Sequence, residues 1–231
     1  VPDLETPTPE DLAVIEQALP FTMTGQARMQ ALVDAVRYCH RRELPGAFVE
    51  CGVWRGGSVL AMILTLQQVG VNDRDIFMFD TFEGMTEPTE HDTSRFDGAA
   101  LDIWREAKNR EVRPWSEFFD PDTFNLETVR ETLLATGYPE ARLHFVKGPV
   151  EETLPDAAPD NIALLRLDTD WYESTLHELV HLYPRLAPRG VLIIDDYGHW
   201  AGAQRAVDEY FDGDAIMLSR IDYTGRLAVK P

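Results

Sequence analysis

The chain has 231 residues, 44% of them apolar, which suffices for one substantial core without a second domain. Its net charge of −19, from 40 acidic against 21 basic residues, repels nucleic acid and anionic membranes at long range, and its scattered Arg and Lys form no basic stripe. No segment approaches the run of about 18 apolar residues that a membrane span needs, and no basic n-region opens the chain, so neither a span nor an uncleaved signal peptide is expected. Cys39 and Cys51 have no metal or redox spacing, which is compatible with a reducing cytoplasm. Cys51 reads as a small buried side chain.

Residues 1–20 are rich in Pro and acids, with a helical pattern near Glu10 to Leu19. Thr24 is placed to cap a helix over Gly25 to Arg41, where Met29, Leu32, Val33 and Val36 recur at helical spacing. Pro45-Gly46 breaks this N-terminal helical segment, residues 1–45, before a first strand at Ala47 to Cys51. Gly52 to Gly57 forms a turn, Ser58 to Val69 a helix, and Asp75 to Asp80 a second strand. That order is a nucleotide-type βαβ start. Residues 86–122 mix Pro, His and acids with four separated aromatics, Phe96, Trp104, Trp115 and Phe118, around a possible short helix near Ala99 to Lys108. A connection of this length predicts a lid, and its aromatics predict packing on the body or on a second copy. The regular pattern resumes with a helix at Leu126 to Ala135 and a strand at Leu143 to Val146. A strand at Ile162 to Leu167, a helix at Ser174 to Leu186 and a strand at Val191 to Ile194 follow. The chain closes with a helix at Gly202 to Phe211 and two antiparallel strands, Ala215 to Ile221 and Arg226 to Val229. The result is a single α/β domain with a seven-stranded, mostly parallel sheet and an antiparallel edge.

Two strands carry the chemistry. Leu165-Arg166-Leu167-Asp168-Thr169-Asp170 and Val191-Leu192-Ile193-Ile194-Asp195-Asp196 are apolar runs that end in carboxylates. In an open α/β sheet those ends face the ligand crevice, so four acids converge there. Solvated helix caps would explain one or two of them. Oxygen-only ligands suit magnesium better than zinc. Arg166, inside its strand, needs a neighbouring acid to balance its charge. The turn Glu50-Cys51-Gly52-Val53-Trp54-Arg55-Gly56-Gly57-Ser58 sets three glycines near a helix N-terminus that can accept an anion. Trp54 stands where a dinucleotide fingerprint needs its second glycine. Glu50 would repel a pyrophosphate but suits an ammonium group, and Asp80 suits a ribose hydroxyl pair. Ammonium, carboxylate and ribose together describe S-adenosylmethionine. The loop after Lys147 falls near an adenine ring, with Val150 as an apolar contact.

Several ordered motifs make the chain similar to one family. The cofactor turn from Phe48 to Ser58, Phe79-Asp80-Thr81-Phe82-Glu83-Gly84-Met85, Leu167 to Thr175 and Ile194-Asp195-Asp196-Tyr197 resemble those of the TylF/MycF family, the macrocin-type sugar O-methyltransferases of antibiotic biosynthesis. The resemblance covers nearly the whole chain. It implies a Rossmann-like class I methyltransferase fold with helices on both faces of the sheet, use of S-adenosylmethionine and magnesium, and a homo-oligomer. It further implies cofactor contacts at Thr24, Glu50, Gly52, Ser58, Asp80, Val150 and Asp168, metal ligands at Asp168, Asp195 and Asp196, and a general base at Asp170.

A hydroxyl acceptor needs a base or a metal to become a nucleophile. Asp170 and His199 compete for the role of base, the imidazole because it titrates near neutrality. The expected acceptor is a sugar or another vicinal diol. A catechol is a variant of it. An NAD(P) oxidoreductase and a catalytically inactive, cofactor-binding oligomer scaffold are the other readings. Expected partners include neither nucleic acid nor membrane, and the expected location is cytoplasmic.

Overall fold

A computed structural model describes residues 7–212 and 216–231. Pro9–Ala18 (α1) opens with a capping box in which Thr8 and Asp11 exchange hydrogen bonds. Gln26–Arg41 (α2) starts without a side-chain cap: Gly25 occupies the N-cap position, and Thr24 is instead drawn inward to Arg166. The core elements are Ala47–Cys51 (β1), Gly57–Gln68 (α3) and Ile76–Asp80 (β2). The 86–122 stretch holds a two-strand hairpin, Thr93–Ser94 (β3) with Gly98–Ala99 (β4), and the helix Ala100–Asn109 (α4). Leu126–Leu134 (α5), Leu143–Lys147 (β5), a four-residue helix at Val150–Thr153 (α6) and Ile162–Leu167 (β6) follow.

Tyr172–Leu182 (α7) stops earlier than its sequence suggests, because Pro184 removes an amide donor and turns Tyr183–Arg185 into a 3-10 segment. Leu186–Ile194 (β7) and Ala201–Tyr210 (α8) complete the parallel part. The strand expected over 215–221 narrows to Ser219–Arg220 (β8), with Ala215 outside the described residues, and Arg226–Val229 (β9) is as expected.

The seven-stranded sheet has the order β5-β2-β1-β6-β7-β9-β8. Five strands are parallel, and β9 runs antiparallel to β7. Side-chain alternation sorts each strand between two cores. Phe48, Met78, Leu164 and Ile193 meet Met29, Val36 and Ile63 of α2 and α3 on one face. Val49, Phe79, Leu165 and Ile194 meet Leu179, Leu182 and Val207 of α7 and α8 on the other. Each such side chain, fully buried, stabilises the fold by about 1.5–3 kcal/mol. No helix among the described residues is long and apolar enough to cross a membrane.

Candidate active site

The strand order changes direction at β1, with β2 on one side and β6 on the other, and the C-terminal ends of these strands open onto a cavity of about 440 Å³. That position and size fit a small-molecule site. Asp168, Asp170, Asp195 and Asp196 all line it, as do Thr24, Gly52, Ser58, Asp80, Val150 and His199. Glu50 does not. It lies behind the wall, 1% exposed, and one of its oxygens accepts a bond from Arg166.

Arg166 is the electrostatic centre. Its Nη1 donates to Glu50 at 2.5 Å and to Asp168 Oδ2 at 2.6 Å; its Nη2 donates to Thr24 Oγ1 at 2.9 Å and to Asp195 Oδ1 at 2.6 Å. Burial opposes its charge, but Asp168, Asp195 and Glu50 outweigh that and hold the guanidinium pKa well above its ordinary value. Burial pushes Glu50 up to about 7 against the pull of Arg166. Asp195 is also gripped by Arg28 of α2, which reaches on to Asp222 at 3.0 Å, while Thr224 Oγ1 donates to the Asp195 carbonyl at 2.6 Å. One carboxylate oxygen from each of Asp168, Asp195 and Asp196 lies within 4.8 Å of the others. Burial and mutual repulsion hold Asp168 and Asp196 well above the carboxylate range. A bound cation reverses that repulsion.

The two candidate bases differ. Asp170 Oδ1 accepts from Trp200 Nε1 at 2.8 Å, and burial, then the Asp168 charge, raises its pKa to about 8. His199 is engaged on both ring nitrogens, Nε2 with Asp97 Oδ2 at 2.8 Å and Nδ1 with the Tyr223 hydroxyl at 3.1 Å, and its ring stacks on Phe96.

On the cofactor side, Asp80 is tied to the glycine turn: Val53 N–H and Trp54 N–H donate to Oδ2 at 2.6 and 3.0 Å, and Phe82 N–H to Oδ1 at 2.7 Å. These bonds, with the Thr81 hydroxyl also 3.5 Å from Oδ1, leave Asp80 at most about one of its four lone-pair sites for a ligand. Gly52, at φ 81°, is required by packing, since a Cβ there would lie 1.9 Å from the Asp168 carbonyl oxygen.

The 86–122 segment is tied down along its length. Trp171 Nε1 donates to the Thr86 carbonyl at 3.1 Å and Trp54 Nε1 to the Phe118 carbonyl at 2.8 Å. Asp92, wholly buried, accepts from the Tyr172 N–H that opens α7 and from the Thr89 N–H, both at 2.7 Å. Gly202 makes room for it, because a Cβ there would lie 1.9 Å from Asp92 Oδ1. Asp92→Ala should therefore cost about 1–3 kcal/mol by leaving buried donors unmet, read as a lower denaturant midpoint and faster proteolysis within 86–122. An unchanged midpoint and cleavage rate would remove this anchor.

Asp92, Arg28, Asp97, Tyr223 and Thr224 carry no sequence signal for these roles, because the partner that gives each its role, Tyr172 in the case of Asp92, is remote in the chain. The Asp97–His199 pair spans two elements, and Arg28–Asp195 joins the first turn of α2 to the end of β7.

A seven-stranded sheet with this order, helices on both faces and this cavity define a class I methyltransferase. The model of one family, macrocin O-methyltransferase (TylF), matches residues 11–228. The chain belongs to that family and is an S-adenosylmethionine-dependent O-methyltransferase. It is 33% identical over 195 residues, 84% of the chain and 72% of the relative, to mycinamicin III 3''-O-methyltransferase of Micromonospora griseorubida. To the 8-demethyl-8-(2,3-dimethoxy-alpha-L-rhamnosyl)-tetracenomycin-C 4'-O-methyltransferase of Streptomyces olivaceus it is 37% identical over 206 residues, 88% of the chain and 73% of the relative. Among solved structures, the O-methyltransferase NovP superposes with a TM-score of 0.76 at 32% identity, covering 91% of this chain and 82% of NovP. Family membership sets aside the oxidoreductase and inactive-scaffold readings.

Proposed function

We propose that the acceptor is a hydroxyl of a sugar, free or attached to a small molecule, and that magnesium assists the transfer. The observation that carries the reading is the acid cluster: three carboxylate oxygens within 4.8 Å at the sheet edge, lining a cavity of about 440 Å³. An all-oxygen donor set suits a hard divalent cation, and the rhamnosyl group in one relative's name supplies a sugar acceptor. When bound, S-adenosylmethionine would supply an electrophilic methyl group, and magnesium, which Asp168, Asp195 and Asp196 would hold, a Lewis acid for the acceptor hydroxyl.

The residues divide the work. Gly52 and the turn after it receive the cofactor's backbone, the remaining acceptor capacity of Asp80 meets its ribose, and Val150 lies against its base. Thr24 and Ser58 complete the wall. Glu50, masked from the cavity, orients Arg166 rather than touching an ammonium group. Arg166 in turn fixes the rotamers of Asp168 and Asp195 through a planar fork, so the ligand oxygens are preorganised. Asp170 is the general base: it lines the cavity and one of its oxygens is fixed by Trp200, and a cation at the neighbouring carboxylates would lower its raised pKa and favour the ionised form that takes the proton. The 86–122 segment acts as the lid, and Asp97, His199 and Tyr223 form its polar clasp.

Calorimetry tests the binding half of this reading. The chain should bind S-adenosylhomocysteine and not NADH, and it should bind magnesium with an affinity that Asp195→Asn lowers by at least the roughly 10-fold that losing an outer partner of a ligand costs. Undiminished magnesium affinity in that folded variant would reassign the ligand.

A further inference from the structure

Glu178 has no part in the chemistry above, yet it is the wholly buried carboxyl of α7, at 0% exposure. Its Oε1 accepts from the Thr169 hydroxyl at 2.9 Å, and its buried Oε2 has no partner in close hydrogen-bond geometry, the weak Cys51 thiol donor being, among the described residues, the one polar group the carboxyl meets besides Thr169. The titratable groups that act on it most are Glu151 of α6, Asp196 beyond β7 and the Cys51 thiol of β1. Burial, reinforced by those acids, holds its carboxyl well above the usual range.

Thr169 stands at the corner of the loop that ends β6. The Trp171 N–H donates back to the Thr169 carbonyl at 2.8 Å across Asp170, whose φ is 68°. This is a γ-turn of the strained kind, and an L-residue keeps it only where the surroundings over-determine it. Ser174 Oγ supplies part of that restraint by donating to the Thr169 and Trp171 carbonyls at 3.4 and 3.2 Å. The Thr169 side chain is held by Glu178 alone among the hydrogen bonds of the described residues.

From this juxtaposition we infer that Glu178 is a positioning residue: it clamps Thr169 from the core side and so fixes the strained turn that aims Asp168 and Asp170 into the cavity. The inference rests on the assignment of Asp168 and Asp170 to the site. A half-satisfied buried carboxyl is unfavourable where it stands. Its effect is rigidity in the one loop that carries both a proposed metal ligand and the proposed base.

The test compares wild type, Glu178→Gln, Glu178→Met, Thr169→Val and the Glu178→Met/Thr169→Val double variant. Amide hydrogen exchange reads the loop, and calorimetry with S-adenosylhomocysteine and with magnesium, each alone, reads the site. Glu178→Met should speed exchange of the amides of residues 169–171 about tenfold, the loss of one net hydrogen bond, and weaken both ligands. Glu178→Gln, which keeps an acceptor for Thr169, should restore wild-type values. Thr169→Val should reproduce Glu178→Met, and the double variant should add nothing further. Wild-type exchange and affinities in Glu178→Met would overturn the inference. So would equal damage from Gln and Met, or additive effects of the two single changes. Should Glu178→Met fail to fold, Thr169→Val and Glu178→Gln carry the same comparison. If wild type binds no magnesium, the metal assignment fails, while exchange and S-adenosylhomocysteine affinity still decide the role of Glu178.

Discussion

Replacing Arg166 by Met should destabilise the fold by about 3–5 kcal/mol at neutral pH, the cost of stripping the partner from buried charges. Three carboxylates, Glu50, Asp168 and Asp195, lose their shared cation, and Thr24 loses its donor. Arg166→Lys keeps the charge but cannot present a fork to four acceptors, so it should recover only part of the loss. The deficit also has a pH signature. Glu50 titrates at about 7 in the folded chain against 4.5 for the free side chain, so the folded state binds its proton more tightly. The fold therefore loses stability as pH rises from 4.5 through about 7. Without Arg166 the pull toward the ionised form is gone, and that window extends upward. Urea unfolding of Arg166→Met should show a larger deficit at about pH 8.5 than at about pH 6. A deficit below about 1 kcal/mol, or one that shrinks as pH rises, would contradict Arg166 as the charge hub.

The second large effect is on rate. Asp170→Asn should slow single-turnover methyl transfer about 10²–10⁴-fold, the usual cost of a general base, while affinity for S-adenosylhomocysteine and magnesium persists. His199→Gln should cost much less in the chemical step. Its ring nitrogens are occupied by Asp97 and Tyr223, so its loss loosens the lid and raises KM for the acceptor more than it lowers kcat. A fast Asp170→Asn beside a slow, fully loaded His199→Gln would reverse the two roles.

What could be read in the sequence follows from where the forces are local. The apolar runs of β6 and β7 end abruptly in acids, and alternation plus the parallel sheet oblige those ends to share an edge. The cluster of Asp168, Asp170, Asp195 and Asp196 is thus legible in the sequence. The glycine turn and the antiparallel edge are legible for the same reason. The role of Thr24 is not legible, because a hydroxyl before a helix looks the same in sequence whether it caps that helix or meets an arginine 142 residues away. The burial of Glu50 is not legible either, since a strand end reveals neither the buried arginine beside it nor the wall in front. The four-residue helix α6 is too short for a periodic signal. Glu178 sits on a helix where a charged residue suggests solvent, and only the packing of α7 against β6 makes it a core acid.

The most direct measurement is transfer of a labelled methyl group from S-adenosylmethionine to a panel of glycosides and catechols, with and without a chelator. The account predicts product on a glycoside hydroxyl that has a neighbouring hydroxyl, loss of turnover on chelation and recovery when magnesium is returned. Full turnover in metal-free protein, or methylation of catechols with every glycoside left untouched, would contradict it.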